Sequence, residues 1–182
     1  NKFFNNSFIF IDIGCNIGIY TLKIGKKFNN CKQIISIEPI LDAFKRLDSN
    51  IKKNNIHNFI TPLNIALSNK EGKAKMKSFT KNNQVQLSKY EINDAGDIEV
   101  ETKVFDKLYQ FEEENIFIKC DTEGHECNVI EGMKNTLLKN NCLLQIEIFS
   151  KNFDKTEKIL NKIGYVKMRE TKERDTFFFE KN

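Results

Sequence analysis

The chain alternates short apolar runs with stretches of helical periodicity, and that rhythm predicts most of its elements. Phe8 to Ile13 is apolar except for Asp12, the pattern of a strand buried on both faces. After a turn carrying Gly14, Asn16 and Gly18, the residues Ile17, Tyr20, Ile24 and Phe28 recur at helical spacing. Ile34 to Ile37 reads as a second buried strand ended by Pro39. Leu41 to Lys53 follows as a second helix, with Phe44, Leu47 and Ile51 as its apolar stripe. A third strand is expected over Phe59 to Leu67, where Pro62 removes a ladder donor and places the strand toward the sheet edge.

Residues 70 to 103 change character. Alternation in KAKMKSF and in IEVETKVF predicts short antiparallel strands, with a polar loop from Lys81 to Asp97 between them. The segment has too few hydrophobics for its own core, so we read it as an insertion within a single domain spanning residues 1–182. The βα rhythm then resumes: a short helix over Asp106 to Phe111, a strand over Ile116 to Cys120 and a helix over Cys127 to Leu138. Another strand is expected over Leu143 to Phe149, and another helix over Asn152 to Ile163 with Gly164 at its C-terminal cap. Tyr165 to Glu170 and Thr176 to Phe179 are joined by a link too short for a parallel crossover, so they form an antiparallel hairpin. The expected fold is α/β, a Rossmann-like, doubly wound and mostly parallel seven-stranded sheet with an antiparallel C-terminal end.

Composition narrows the class. With 182 residues, 40% hydrophobic and 30% charged, the chain suits one domain with a sizeable core. No apolar run approaches the ~18 residues that span a bilayer. The opening residues, Asn1 and Lys2 followed by aromatics and asparagines, do not form a signal peptide, and the missing initiator methionine suggests a trimmed chain. The net charge of +4 is diffuse, and only Arg46, Arg169 and Arg174 of the 29 basic residues are arginine, so no nucleic-acid partner is expected. Cys15, Cys31, Cys120, Cys127 and Cys142 are odd in number and form no CxxC pair, and His57 and His125 lie far apart. Neither a disulfide framework nor structural zinc is expected, but reduced thiols in a cytoplasmic protein.

The chemistry begins at FIDIGCNIG, residues 10 to 18. A strand, a tight glycine turn and a helix start together form the site that holds a nucleoside cofactor at the C-terminal end of a parallel strand. Glu38, at the end of the second strand, stands where a carboxylate accepts hydrogen bonds from two ribose hydroxyls. A dinucleotide fingerprint reads GxGxxG, and its second glycine admits a pyrophosphate. Asn16 occupies that place here, and Ile19 stands where the third glycine would fall. S-adenosylmethionine carries no phosphate, so the pattern favours it as the cofactor. The expected cofactor contacts are Asp12, Gly14, Cys15, Asn16, Gly18, Glu38, Pro39 and Asp121, with Asn64 and Ala66 near the adenine. The plainer reading, in which Gly14 and Gly18 only permit close helix–strand packing, leaves Asp12 and Glu38 unexplained.

Lys119 to Glu126 is the densest cluster of ionisable residues beside an apolar strand. The strand order should reverse between the first and fourth strands, so Asp121 should face the Asp12–Gly18 turn across the crevice. The segment IKCDTEGHECNVIEGM resembles the signature of the FkbM family of S-adenosylmethionine-dependent methyltransferases. FIDIGCNIGIYTL, SIEPI, NIALSN, TKVFDKL and QIEIF follow that family's order, and the resemblance runs from Phe8 to Phe179. Cys15, Cys120 and Thr122 stand for a usual alanine, isoleucine and valine, and no polar group is lost. Helices that often precede the first strand in this family are absent.

The resemblance implies methylation of a hydroxyl on a glycan or small metabolite. That reaction needs in-line alignment and a group to take the hydroxyl proton. His125, with an ordinary pKa near ~6.5, is the candidate general base. Asp121 and Glu123 are rivals, and either could instead orient His125 or hold the cofactor's ammonium group. Spacing alone does not separate this role for His125 from a plain helix cap. A divalent cation on Asp121, Glu123 and Glu147 would lack a full ligand set, and no metal is assigned. Two further readings use the same fold. An RNA or protein methyltransferase lacks support because no NPPY-like tetrapeptide follows the fourth strand, and a non-catalytic binding module fits poorly with intact acidic and glycine positions. The acceptor's identity and the oligomeric state stay open.

Overall fold

The structure is a computed structural model that describes residues 2–81, 84–92, 95–171 and 175–181. β1 (Phe8–Ile13) lies at its centre, wholly buried, because an apolar run without alternation is stable only when both faces are covered. α1 (Ile19–Lys27) follows, then β2 (Cys31–Ile37), α2 (Leu41–Lys53) and β3 (Ile60–Leu63). The second half supplies β8 (Asn115–Cys120), β9 (Asn141–Glu147), α6 (Ser150–Lys162), β10 (Tyr165–Thr171) and β11 (Thr176–Lys181). These strands form one sheet in the order β10-β11-β9-β8-β1-β2-β3. β1 pairs in parallel with β2 on one side and β8 on the other, while β11 runs antiparallel to both β9 and β10. The chain builds outward from β1 to β3 and returns to start β8 on β1's other side. The crevice at the carboxyl ends of β1 and β8 is therefore the switch point of an open α/β sheet, where ligands bind.

Two apolar layers cover the sheet. One face packs Ile9, Ile11 and Ile118 against Val129, Ile130 and Leu160. The other packs Phe8, Phe10 and Phe117 against Ile24, Leu47 and Ile51. A 3-10 turn at Lys2–Asn5 brings Phe4 edge-on to Phe8 and Phe117, with centroids 5.3 Å and 5.4 Å away. Among the described residues, no helix is long and apolar enough to cross a membrane.

The expected third strand is split. β3 pairs with β2 and is the sheet's edge, as Pro62 suggests, but β4 (Ala66–Leu67) belongs to a second sheet with β5 (Gly72–Lys81), β6 (Gln84–Ile92) and β7 (Ile98–Lys103), in the order β4-β7-β5-β6. The break comes at Asn64, whose amide donates to the carbonyls of Glu38 and Pro39 at 2.9 Å each and turns the chain out of the first sheet. β5 (Gly72–Lys81) and β7 (Ile98–Lys103) are the antiparallel pair that alternation predicted. The polar Lys81–Asp97 loop is not a loop: Gln84–Ile92 forms β6, antiparallel to β5. Its ladder comes from backbone pairing, which a polar composition does not report. This sheet closes a small cluster of Ile40, Ala43, Ala66, Met76 and Val100.

The expected helix over Cys127 to Leu138 is also two: α4 (Glu126–Gly132) and α5 (Lys134–Lys139), broken at Met133. Gly132 packs flat on the backbone of Ser68, whose carbonyl oxygen would lie 2.1 Å from any Cβ there. Asp106, next to the short α3 (Phe105–Leu108), starts α5 anew by accepting from the backbone N–H groups of Asn135 and Thr136 at 2.6 and 2.9 Å. All five cysteines are free and buried.

Candidate active site

The turn after β1 is held from both sides. The N–H groups of Gly14 and Cys15 donate to the Ile37 carbonyl at 2.9 and 3.1 Å, and the N–H of Asp121 donates to the Ile13 carbonyl at 3.0 Å. Gly14 has φ +72°, and a Cβ there would sit 1.9 Å from the Asp121 carbonyl oxygen. Only glycine allows both that conformation and that approach. Asn16 is also left-handed, with φ +52°, and its backbone N–H donates to Glu38 Oε2 at 2.8 Å. Glu38 Oε1 accepts from the Ile40 N–H, also at 2.8 Å. The Glu38 carboxylate thus ties the β1 turn to the start of α2. It is 6% exposed, and burial raises its pKa to about 7 despite the two N–H groups that favour the charged form.

A cleft of about 770 Å³, open to solvent, runs from this carboxylate across the ends of β1 and β8. Its lining is acidic at Glu38, Asp121 and Glu123 and apolar at Ile65, Ala66, Leu67, Met76 and Ile92. Among the described residues, no lysine or arginine lines it. His125 lines the same cleft, at the N-cap of α4, but its side chain makes no capping hydrogen bond. Its Nε2 instead meets Ser68 Oγ at 3.0 Å, and burial lowers its pKa below the ordinary histidine value. The imidazole is therefore neutral at neutral pH and able to accept a proton.

The methyltransferase FkbM domain model matches residues 12–167, from the β1 turn into β10. The chain belongs to the FkbM methyltransferase family. A curated relative, the hexuronic acid methyltransferase AglP of Haloferax volcanii, is 29% identical over 136 residues. The match covers 73% of this chain and 53% of AglP, so the chain spans about half the length of that relative. The crystal structure of methyltransferase FkbM from Methylobacillus flagellatus KT superposes with a TM-score of 0.68 at 18% identity, over 96% of this chain and 43% of that one. The tRNA methyltransferase TrmK of B. subtilis superposes with a TM-score of 0.59 at 14% identity, over 100% and 63%. Both likenesses are of fold.

Within this FkbM frame the cleft gathers Gly14, Asn16, Glu38, Pro39, Ala66 and Asp121 of the expected cofactor residues, and His125 and Glu123 of the expected catalytic ones. Asp12, Cys15, Gly18 and Asn64 are not among its lining residues. Asp12 is fully buried, and its Oδ2 accepts from the Thr21 N–H at 3.0 Å and the Thr21 hydroxyl at 2.7 Å, anchoring α1. Cys15 packs in the core beside α1 and α2. Gly18, with φ +87°, lies against Leu47 of α2, and Asn64 pins the Glu38–Pro39 backbone from behind. These four shape the site without facing it. A turn motif marks where such residues cluster, but not which side chains point outward.

Lys119 belongs to the same motif, and the structure shows what it touches. Its Nζ donates to Asp121 Oδ2 at 3.0 Å and lies 5.1 Å from the Tyr20 ring centroid. Burial would lower its pKa, but Asp12 and Asp121 hold the ammonium above its ordinary value. Met76 and Ile92, paired across β5 and β6, reach the cleft from the second sheet, and no local sequence pattern signals that. Among the described residues, no three acidic, histidine or cysteine side chains converge as a metal-binding group.

Glu126, the last acid of the signature, braces the Asp121–His125 loop. Its Oε1 accepts from the Thr122 N–H at 3.3 Å, the Thr122 hydroxyl at 3.0 Å and the Gly124 N–H at 2.9 Å, and the residue is 1% exposed. The loop needs such a brace because Glu123 and Gly124 both adopt positive φ, +53° and +106°. Glu126→Ala strands three half-buried donors, so chemical denaturation should show a stability loss of about 3 kcal/mol. A loss under about 1 kcal/mol would mean that the loop holds itself.

Proposed function

We propose that this chain binds S-adenosylmethionine in the β1–β8 cleft and directs its methyl group to a hydroxyl of a glycan, a hexuronic acid being the favoured acceptor class. The observation that carries this reading is a neutral, uncapped imidazole, His125, in the same cleft as the buried Glu38 carboxylate. The donor set also fits the cofactor. Acidic lining residues with, among the described residues, no lysine or arginine beside them suit a sulfonium nucleoside and would repel a pyrophosphate, and the apolar lining residues suit an adenine ring. AglP, named for a hexuronic acid, supports the acceptor class.

In this reading Glu38 accepts the ribose hydroxyls while keeping its two backbone N–H groups. Ile65, Ala66 and Leu67 flank the base. When bound, S-adenosylmethionine supplies an already activated methyl group, so the residues have to align the acceptor, exclude water and take one proton. His125 takes that proton, and Lys119 holds Asp121 oriented at the crevice floor. The test offers deuteromethyl-labelled S-adenosylmethionine with uronic acid glycosides and follows the label by mass spectrometry. A labelled methyl ether on the sugar is expected; label on RNA or protein with none on the sugars would overturn the acceptor class.

The raised pKa of Glu38 also predicts a pH dependence. Ribose hydroxyls donate best to the ionised carboxylate, and below about 7 the group is increasingly protonated. Donor affinity should therefore fall about tenfold from about pH 8 to about pH 6, with a proton released on binding at the lower pH. Calorimetry in buffers of different ionisation enthalpy measures both quantities. Equal affinity at the two pH values would contradict the assignment.

A further inference from the structure

The hydrogen-bond chain behind His125 has a direction that can be read from its chemistry. Asn69 Nδ2 donates to Glu131 Oε2 at 2.7 Å. A carboxylate oxygen accepts there, so the nitrogen of the Asn69 amide faces Glu131 and its oxygen faces the other way. That oxygen, Oδ1, also receives Asn128 Nδ2 at 3.4 Å, as only an acceptor would. Ser68 Oγ donates to Asn69 Oδ1 at 3.4 Å. A hydroxyl has one proton, and an amide oxygen has none to give back, so between Ser68 and Asn69 the proton is the hydroxyl's. With its proton spent there, Ser68 offers a lone pair toward His125 Nε2, 3.0 Å away.

We infer that Ser68, Asn69 and Glu131 form a positioning relay that holds His125 as the Nε2–H tautomer and leaves Nδ1 as the proton-accepting atom of the cleft. This rests on the reading of His125 as the general base. The relay is built into the fold. Ser68 is buried just after β4, and its N–H is held by the Lys103 carbonyl at 2.9 Å. Gly132 of α4 allows the Ser68 backbone to approach α4 closely, since a Cβ there would meet the Ser68 carbonyl at 2.1 Å. The arrangement suits proton transfer. As the acceptor oxygen gains its bond to the methyl carbon, the carbon–sulfur bond of the methyl donor breaks with its electron pair staying on sulfur as a neutral thioether, and the proton of the acceptor's broken O–H bond joins Nδ1. The imidazolium formed keeps the same Nε2–H···Ser68 bond, so no partner has to turn during the step. The proton then leaves Nδ1 to solvent.

Nitrogen NMR of the ring tests this directly. The chain has two histidines, and His57→Gln leaves only His125. In that background, His125 should show a protonated Nε2 and an unprotonated Nδ1 at neutral pH. Ser68→Ala and the exposed Asn69→Leu should each release the ring into a tautomer mixture. Ser68→Ala should also lower kcat about tenfold, with KM for the methyl donor within about twofold. A proton on Nδ1 in the parent, or tautomer populations unmoved by both substitutions, would overturn the relay. A protein with the expected tautomer that binds no methyl donor would leave the relay standing and sink the proposed function instead.

Discussion

Replacing His125 with alanine should lower turnover by about 100-fold or more while leaving S-adenosylmethionine affinity within about twofold. The split follows from where the side chain sits. The His125 side chain lines the cleft and, among the described residues, bonds to Ser68, and its removal disturbs neither the Glu38 bridge nor the Gly14–Asp121 contact. The fold should tolerate the change, because the imidazole makes no capping bond to α4. pH adds a second signature. Burial lowers the His125 pKa, and a base works when unprotonated, so the acid limb of kcat in the parent protein should fall below the ordinary histidine value. That limb should vanish in His125→Ala. If turnover survives with its limb intact, the proton goes to Asp121, Glu123 or solvent, and the relay through Ser68 has no catalytic role.

Glu38→Ala should weaken S-adenosylmethionine binding by more than about tenfold, since two ribose hydroxyls lose a charged acceptor. The structure makes the effect larger than a lost ligand contact alone. Both Glu38 oxygens already hold backbone N–H groups, those of Asn16 and Ile40, so the truncation also loosens the turn that approaches the nucleoside. Asn16 has positive φ, and releasing its N–H removes one restraint that keeps it there. Glu38→Gln, measured beside it, keeps the volume but cannot accept from both N–H groups, and should fall between the parent and the alanine variant. Circular dichroism on each variant shows whether the sheet is intact. Unchanged affinity in a folded Glu38→Ala protein would remove Glu38 from the site.

Much of this was legible in the sequence because it is local. β1 and β2 announce themselves as apolar runs buried on both faces, and Gly14 and Gly18 mark a turn that needs positive φ. The D-x-E-G-x-E signature placed Asp121, Glu123 and His125 together at the end of β8. What escaped depends on contacts distant in sequence. Ser68 and His125 are 57 residues apart, and no spacing rule links them. The break at Met133 arises from Gly132 meeting Ser68 and from Asp106 capping α5, neither of which alters helical periodicity. β6 hides because its pairing with β5 is a backbone ladder, which a polar composition does not report. Asp12 at the end of β1 and Cys15 in the turn after it are buried, and Gly18 lies against Leu47. A strand end exposes some side chains and buries others, and sequence alone does not separate them.

The cleft beside Glu38 and His125 is proposed to hold S-adenosylmethionine rather than a dinucleotide. Isothermal titration of the folded protein with S-adenosylmethionine, S-adenosylhomocysteine and NAD⁺ tests it most directly. One equivalent of each S-adenosyl ligand per chain, weakened by Glu38→Ala, with no heat from NAD⁺, is the predicted result. Binding of NAD⁺ without binding of either S-adenosyl ligand, or no binding of any of the three, would contradict it.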